Sequence, residues 1–197
     1  MVKGNHLRLF FAIELEPNIK SKLLTIQDRV LDVNGTAVPG ENFHITLSFL
    51  GKVAERELES ILDGLSVSLH AGEAFSDVQV SPFSVTLNQL TYWPKPKIIA
   101  ALIDDQSQGL GRLKKSIESV LTSIGHFQFD RKSYKPHVTL FRHVDEPPKH
   151  LADLELTVAV KRFSLLESVQ GRHGVNYHMI ESWPLKQSSI KQQLLGL

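Results

Sequence analysis

The sequence predicts an α+β protein built from two similar lobes. Apolar stretches typical of strands alternate with amphipathic helices along the chain. The order strand, helix, strand also occurs twice, and the last strand opens each time with His-x-Thr. From Phe10 to His44 is 34 positions, and from Ile99 to His137 is 38. Any α/β chain contains strand-helix-strand units, but the coinciding histidines favour an internal duplication with a cleft between the two copies.

The first half is divided by hydrophobic periodicity and by turn residues. Pro17 suits the first turn of a helix, where its missing N–H costs nothing. Asn34-Gly35 is expected to end that helix, and Gly51 to end the strand that carries His44. The predicted elements are a strand over Leu7–Leu15, a helix over Pro17–Val33, a strand over Phe43–Leu50 and a helix over Ala54–His70.

The second half repeats this outline. Gly125 is expected to end its helix. The predicted elements are strands within Asp77–Asn88 and at Lys97–Ile103, a helix over Ser107–Ile124, a strand over His137–Arg142, and strands near Thr157–Glu167 and Val175–Ser182.

Composition excludes several functional classes. The formal net charge of +1 gives no basic excess for broad duplex binding, and the absence of cysteine excludes disulfides and thiolate metal sites. No apolar run is long enough to span a membrane, and the first residues lack a signal-peptide apolar region. We therefore expect a cytoplasmic protein that contacts nucleic acid only at a local site or a chain end.

The two motifs, His44–Thr46 and His137–Thr139, carry the chemical prediction. Nine histidines and eight threonines would give about 0.4 His-x-Thr matches by chance. Because side chains alternate along a strand, each histidine shares a face with its threonine while the residue between them points to the core. Two imidazoles can divide the proton transfers, and two hydroxyls can hold phosphate oxygens. Together the motifs predict phosphoryl chemistry without a metal or another cofactor.

The residues around both motifs resemble a known family. The segments NFHITLSFLG (42–51) and YKPHVTLFR (134–142) resemble the two-histidine (2H) phosphoesterases, within them the RNA 2′,3′-cyclic phosphodiesterase branch, also called the 2′-5′ RNA ligase family. The resemblance implies a bilobal fold with two antiparallel sheets facing a central cleft and helices on the outside. We expect one such domain over residues 1–197, acting as a monomer, whose lobes exchange terminal strands.

The resemblance also implies an activity. It is hydrolysis of a 2′,3′-cyclic phosphate at an RNA 3′ end or on a nucleotide to a 2′-phosphate, with 2′-5′ ligation as a minor reverse reaction. His44 is then the proton donor, His137 the proton acceptor, and Thr46 and Thr139 bind phosphate. Near-symmetry leaves the reverse assignment of the two histidines open.

Four further residues are candidates for substrate binding. Arg142 follows the second motif, but strict alternation turns it off the site face unless a bulge intervenes. Phe141 and Ser48 would share a face with the motif residues, where the family often has a small and a basic residue, respectively. Tyr134 lies just before His137 and is expected to line the cleft.

Two alternatives stay open at this point. The same groove could retain RNA ends or nucleotides without turnover, and Phe141 and Ser48 favour that interpretation. The site could also act on 2′-5′-linked oligonucleotides or on other cyclic nucleotides.

Overall fold

The computed structural model describes residues 5–30, 33–71, 80–125, 127, 129, 133–172 and 174–185, without the side chains of residues 68–71. The predicted start of a strand at Asp77 lies outside the described residues. Three α-helices are described: α1 (Pro17–Asp28), α2 (Leu58–Ala71) and α3 (Gly109–Ser123). The described strands are β1 (His6–Glu14), β2 (Thr36–Ala37), β3 (His44–Ala54), β4 (Phe83–Trp93), β5 (Ile98–Asp104), β6 (His137–Arg142), β7 (Asp153–Val160), β8 (Arg162–Gly171) and β9 (Gly174–Pro184).

These strands form two antiparallel sheets, which confirms the predicted fold class. The first sheet has the order β3-β1-β8-β9, and the second has the order β2-β6-β5-β4-β7. The His44 strand therefore lies at an edge of the first sheet, and the His137 strand lies near an edge of the second. No helix within the described ranges is long and apolar enough to cross a membrane.

Several predicted boundaries were wrong. Helix α1 ends at Asp28, five residues early, because the chain turns back to place β2 beside β6. Strand β3 continues beyond Gly51 to Ala54, because Gly51 takes a φ of +75° next to a bulge instead of ending the strand. The strand predicted near Thr157–Glu167 is two strands that belong to different sheets. Gly125 follows α3 with a φ of +95°, in agreement with its predicted role.

Both motif strands contain a bulge at the same place. Thr46 pairs with Ala12 and Ser48 pairs with Phe11, so Leu47 is the extra residue of the first strand. In the second sheet, Thr139 pairs with Ala100 and Phe141 with Ile99, which leaves Leu140 as the extra residue. An extra residue reverses the alternation of faces for everything that follows it. The shared bulge is structural support for the duplication.

One continuous hydrophobic core joins the two sheets and the helices. It takes Phe11 and Leu47 from the first sheet, Leu87 and Val138 from the second, and the buried stripe of α3, including Ile117. A smaller cluster of Phe10, Ala12 and Leu166 lies on the opposite face of the first sheet. That second face carries the His44 motif.

Candidate active site

The two histidines are held by the same local device. His44 Nδ1 lies 2.7 Å from the carbonyl oxygen of Asn42, and His137 Nδ1 lies 2.8 Å from that of Lys135. Because a carbonyl oxygen only accepts, each Nδ1 must carry a hydrogen. The proton-exchanging atom of both rings is therefore Nε2. In both motifs the accepting carbonyl belongs to the residue two positions before the histidine. The sequence pattern did not predict this repetition.

The threonine of the first motif lies beside its histidine, as alternation predicts. Thr46 Oγ1 is 3.1 Å from His44 Nε2, so its hydroxyl can donate to the neutral ring. Thr139 lies two residues after His137 on the same side of β6, and both residues are half-buried. Each sheet thus offers an imidazole nitrogen and a hydroxyl.

Aromatic rings fix both imidazoles. The His44 ring packs between Phe10, at 5.1 Å between ring centroids, and Tyr177, at 4.9 Å and edge-on. The His137 ring lies 4.6 Å from Trp93, also edge-on. This packing restricts both rings and partly removes them from water, which lowers the cost of arranging them for reaction.

Burial and positive charge lower the pKa of both histidines. Burial is the main cause at His44, with contributions from the charges of Arg142, His137 and Lys20, and it lowers the pKa to about 4 although the bond to Asn42 acts in the opposite direction. The pKa of His137 is lowered by burial and by Arg142. Arg142 therefore acts on both rings, and His137 lies close enough to act on His44. Both motifs face one electrostatic environment.

Arg142 reaches this face because of the bulge at Leu140. The reversal turns Phe141 into the core and Arg142 outward, onto the side that carries His137 and Thr139. Among the described carboxylates, none forms an ion pair with Arg142. The guanidinium is thus available to an anion bound beside the two histidines.

The same reversal contradicts the expectation for Phe141 and Ser48. Phe141 is 7% exposed and belongs to the core. Ser48 is 4% exposed, and its hydroxyl donates to Glu118 of α3. The assumption that they share a face with the motif residues was wrong, because it ignored the extra residue in each strand.

The Tyr134 hydroxyl is bonded to the backbone of the first motif and is therefore not free to donate to a substrate. It donates to the backbone carbonyl of Thr46 at 2.9 Å. Burial is the main cause that raises the pKa of Tyr134, and Asp105 and Glu118 add to it. The phenol therefore stays protonated and joins the two motifs physically.

Sequence reasoning missed Phe49. Its side chain is 70% exposed, and its ring lies 5.8 Å from Phe10. Phe10 in turn contacts His44, so the exposed ring lies on the motif face. When the two motifs are aligned in sequence, Phe49 occupies the position equivalent to Arg142. That alignment could have identified Phe49 as a candidate site residue. One lobe therefore offers an aromatic surface where the other offers a cation.

Within the described ranges, no group of three or more histidine, aspartate or glutamate side chains is arranged to hold a metal ion. The expectation of metal-independent chemistry remains a prediction.

Comparison with known proteins agrees with this geometry. A family model described as "LigT like Phosphoesterase" matches residues 13–100, a segment that includes the first motif. The chain is 30% identical to the RNA 2′,3′-cyclic phosphodiesterase of Escherichia coli (strain K12) in an alignment of 186 positions that covers 91% of this chain and 97% of that protein. It belongs to the LigT-like phosphoesterase family. A relative of the same name from Methanocaldococcus jannaschii is 28% identical over 90% of this chain and 100% of its own length.

Solved structures of LigT-like proteins share the fold. Escherichia coli LigT complexed with 3′-AMP superposes with a TM-score of 0.75 at 26% identity, over 93% of this chain and 100% of that one. Its apo form gives a TM-score of 0.74 at 25% identity, over 92% and 99%. The two-sheet LigT-like architecture thus extends over almost the whole of both chains.

Proposed function

We propose that this LigT-like phosphoesterase is an RNA 2′,3′-cyclic phosphodiesterase that hydrolyses a terminal 2′,3′-cyclic phosphate to a 2′-phosphate. The supporting observation is the duplicated motif: two imidazoles, each with Nδ1 bound and Nε2 left for proton transfer, each in a strand that also carries a threonine. The names of the similar proteins from several organisms support the same substrate. Both motifs come from one chain, so a monomer suffices.

The proposed reaction needs one neutral and one protonated histidine. His137 Nε2 takes a proton from water as the water oxygen attacks phosphorus. The bond from phosphorus to the ribose 3′-oxygen breaks, and His44 Nε2–H gives that oxygen a proton. The phosphate stays on the 2′-oxygen, and proton exchange with solvent restores both rings. Thr46, Thr139 and Arg142 hold the non-bridging oxygens, where negative charge increases.

The asymmetry between the lobes supports His44 as the donor. Both ester oxygens of the cyclic phosphate belong to the same ribose, so the leaving oxygen lies on the nucleoside side. Attack in line brings water from the opposite side. The exposed ring of Phe49 is on the His44 side and offers a surface on which a nucleobase can stack. The nucleoside side then faces His44, and the water faces His137.

The binding-module alternative loses its support. Phe141 and Ser48, the residues that favoured it, are buried on the opposite side of their strands from the motif residues. Product analysis distinguishes RNA ends from the other candidate substrates.

The test is incubation with 2′,3′-cyclic AMP and with an oligoribonucleotide that ends in a 2′,3′-cyclic phosphate, followed by phosphorus NMR. The expected product is the 2′-monoester in both cases, at an unchanged rate in EDTA. A 3′-monoester would contradict the leaving group, and an unchanged substrate would contradict hydrolysis. A 2′-5′-linked dinucleotide and a 3′,5′-cyclic nucleotide, run in parallel, test the neighbouring activities.

A further inference from the structure

A chain of polar side chains runs beneath the His44 motif. Ser48 donates to Glu118 at 2.6 Å, and Lys114 donates to the same carboxylate oxygen at 2.5 Å. The ammonium of Lys114 lies 5.8 Å from the centre of the Tyr134 ring. The Tyr134 hydroxyl completes the chain on the carbonyl of Thr46. These five residues form what we call the polar tie.

The polar tie contacts β3 on both sides of its bulge. Thr46 immediately precedes the extra residue Leu47, and Ser48 immediately follows it. Glu118 lies on α3, which follows β5, and Tyr134 lies three residues before His137, so both contacts come from parts of the chain next to the second sheet in sequence. One hydrogen bond therefore connects the segment before His137 to the strand that carries His44.

Stability alone is a weak reason for such an arrangement. The side chains of Lys114 and Glu118 are each only 17% exposed. Desolvation of a buried ion pair largely offsets its attraction, and apolar residues of similar size are often at least as stable. The directional hydrogen bonds of the polar tie fix the positions of the bonded groups more strictly than apolar contacts would.

The other bulge is held in a comparable way. Gln27 of α1 donates its amide to the carbonyl of Leu140, the extra residue of β6, at 2.7 Å, and to that of Val38 at 3.0 Å. Gln27 is 6% exposed. Each bulge is thus held by a polar side chain from a helix that follows a strand of the other sheet. Helix α1, which follows β1 of the first sheet, holds the bulge of β6, and α3, which follows β5 of the second sheet, holds the bulge of β3. This repetition makes chance a poor explanation.

We propose that Tyr134 and Glu118 are positioning residues that fix the bulge of β3 and thereby hold His44 and Thr46 opposite the His137 motif. This rests on the proposed function for its catalytic consequence. Neither residue contacts the reacting atoms in this assignment. Loss of the tie lets β3 shift relative to β6, and a displacement of about 1 Å can cost about 10²-fold in rate.

The test compares two tyrosine variants that lose equivalent hydroxyls. Tyr134→Phe keeps the ring over Lys114 and removes only the bond to Thr46. The matched control is Tyr92→Phe, because Tyr92 also donates to backbone carbonyls, those of Val144 and Asp145, at 3.1 and 3.0 Å. We expect kcat to fall about 10- to 100-fold in Tyr134→Phe with KM within about twofold. Tyr92→Phe should keep the wild-type kcat.

Ser48→Ala breaks the tie at its other end and keeps the test decisive if Tyr134→Phe does not fold. It should lower kcat by about 3- to 10-fold, again at nearly constant KM. A kcat in the folded variants no lower than that of Tyr92→Phe overturns the proposal.

A second readout separates this proposal from the proposed function. NMR titration of the His44 ring needs no turnover. Loosening of β3 admits water to the ring, so its pKa should rise by about half a unit or more in Tyr134→Phe and stay constant in Tyr92→Phe. If the wild type hydrolyses no cyclic phosphate, the proposed function fails while this shift still supports positioning. An identical titration in all three proteins would then overturn the positioning role.

Discussion

Acidification should destabilise the protein through His44, whose ring is buried in its neutral form. The pKa of this ring is lowered from 6.5 to about 4, chiefly by burial. A shift of that size corresponds to about 3 kcal/mol, since each pKa unit is about 1.4 kcal/mol. At pH 7 this ring is therefore neutral in nearly all free molecules. A bound phosphate anion must therefore raise the pKa before His44 can act as the donor.

The direction of the stability change follows from proton binding. Between pH 6.5 and about 4 the unfolded chain binds the His44 proton and the folded chain does not. The stability that His44 contributes is complete above pH 6.5, is lost progressively as the pH falls from 6.5, and is fully lost below about 4. His137, whose pKa is also lowered, acts in the same direction.

The assay is urea unfolding at pH 7.5 and pH 4.5, for the wild type and for His44→Gln. The wild type should lose about 2 kcal/mol more than the variant between the two pH values. NMR titration should place the His44 ring well below 6.5. An equal loss in both proteins, or a free-enzyme pKa of 6.5 or higher, would refute the argument that burial holds this ring neutral.

Further predictions concern the groups around the phosphate. Thr46→Val and Thr139→Val should each lower kcat/KM by about 10- to 100-fold, the cost of one hydrogen bond to a charged group, and equal activity in either variant would remove that threonine from the site. Arg142→Gln should raise KM for the cyclic nucleotide and, because a positive charge is removed, shift the NMR titrations of His44 and His137 upward; unshifted titrations would place the guanidinium elsewhere. Phe49→Ala should raise KM for 2′,3′-cyclic AMP by about 5- to 100-fold while leaving inhibition by inorganic phosphate unchanged, whereas a parallel loss of both would argue against base stacking.

Much of the fold was predictable from local pattern. The period of apolar residues placed the three helices, and the strand His137–Arg142 was predicted with its observed bounds. The two-residue spacing correctly placed Thr46 beside His44, because alternation is a property of any regular strand.

The two bulges could not be predicted from the local sequence pattern. Leu47 and Leu140 are ordinary strand residues, and they become extra only because Ala12 and Ala100 pair with the threonines on the neighbouring strands. Register between strands far apart in sequence is a tertiary property. The faces assigned to Ser48 and Phe141 were wrong for this one reason, and Arg142 reaches the site face for the same reason.

The point at which the chain passes from the second sheet to the first could not be predicted from local pattern either. Strands β7 and β8 are separated only by Lys161, without a glycine or proline to mark the break. The two strands pair with β4 and β1, in different sheets. A continuous apolar run therefore looked like one strand, because its division depends on the partners of each half.

The central claim is that His44 and His137 act together on one phosphate, and its most direct test is turnover of 2′,3′-cyclic AMP by His44→Ala and by His137→Ala. Circular dichroism and urea unfolding at pH 7.5 serve as the check of fold. Each variant should lose about 10²- to 10⁴-fold in kcat, the usual worth of one acid or base. The double variant should be little worse than either single one, because the two rings act as a unit. Full turnover by either folded variant would contradict the account.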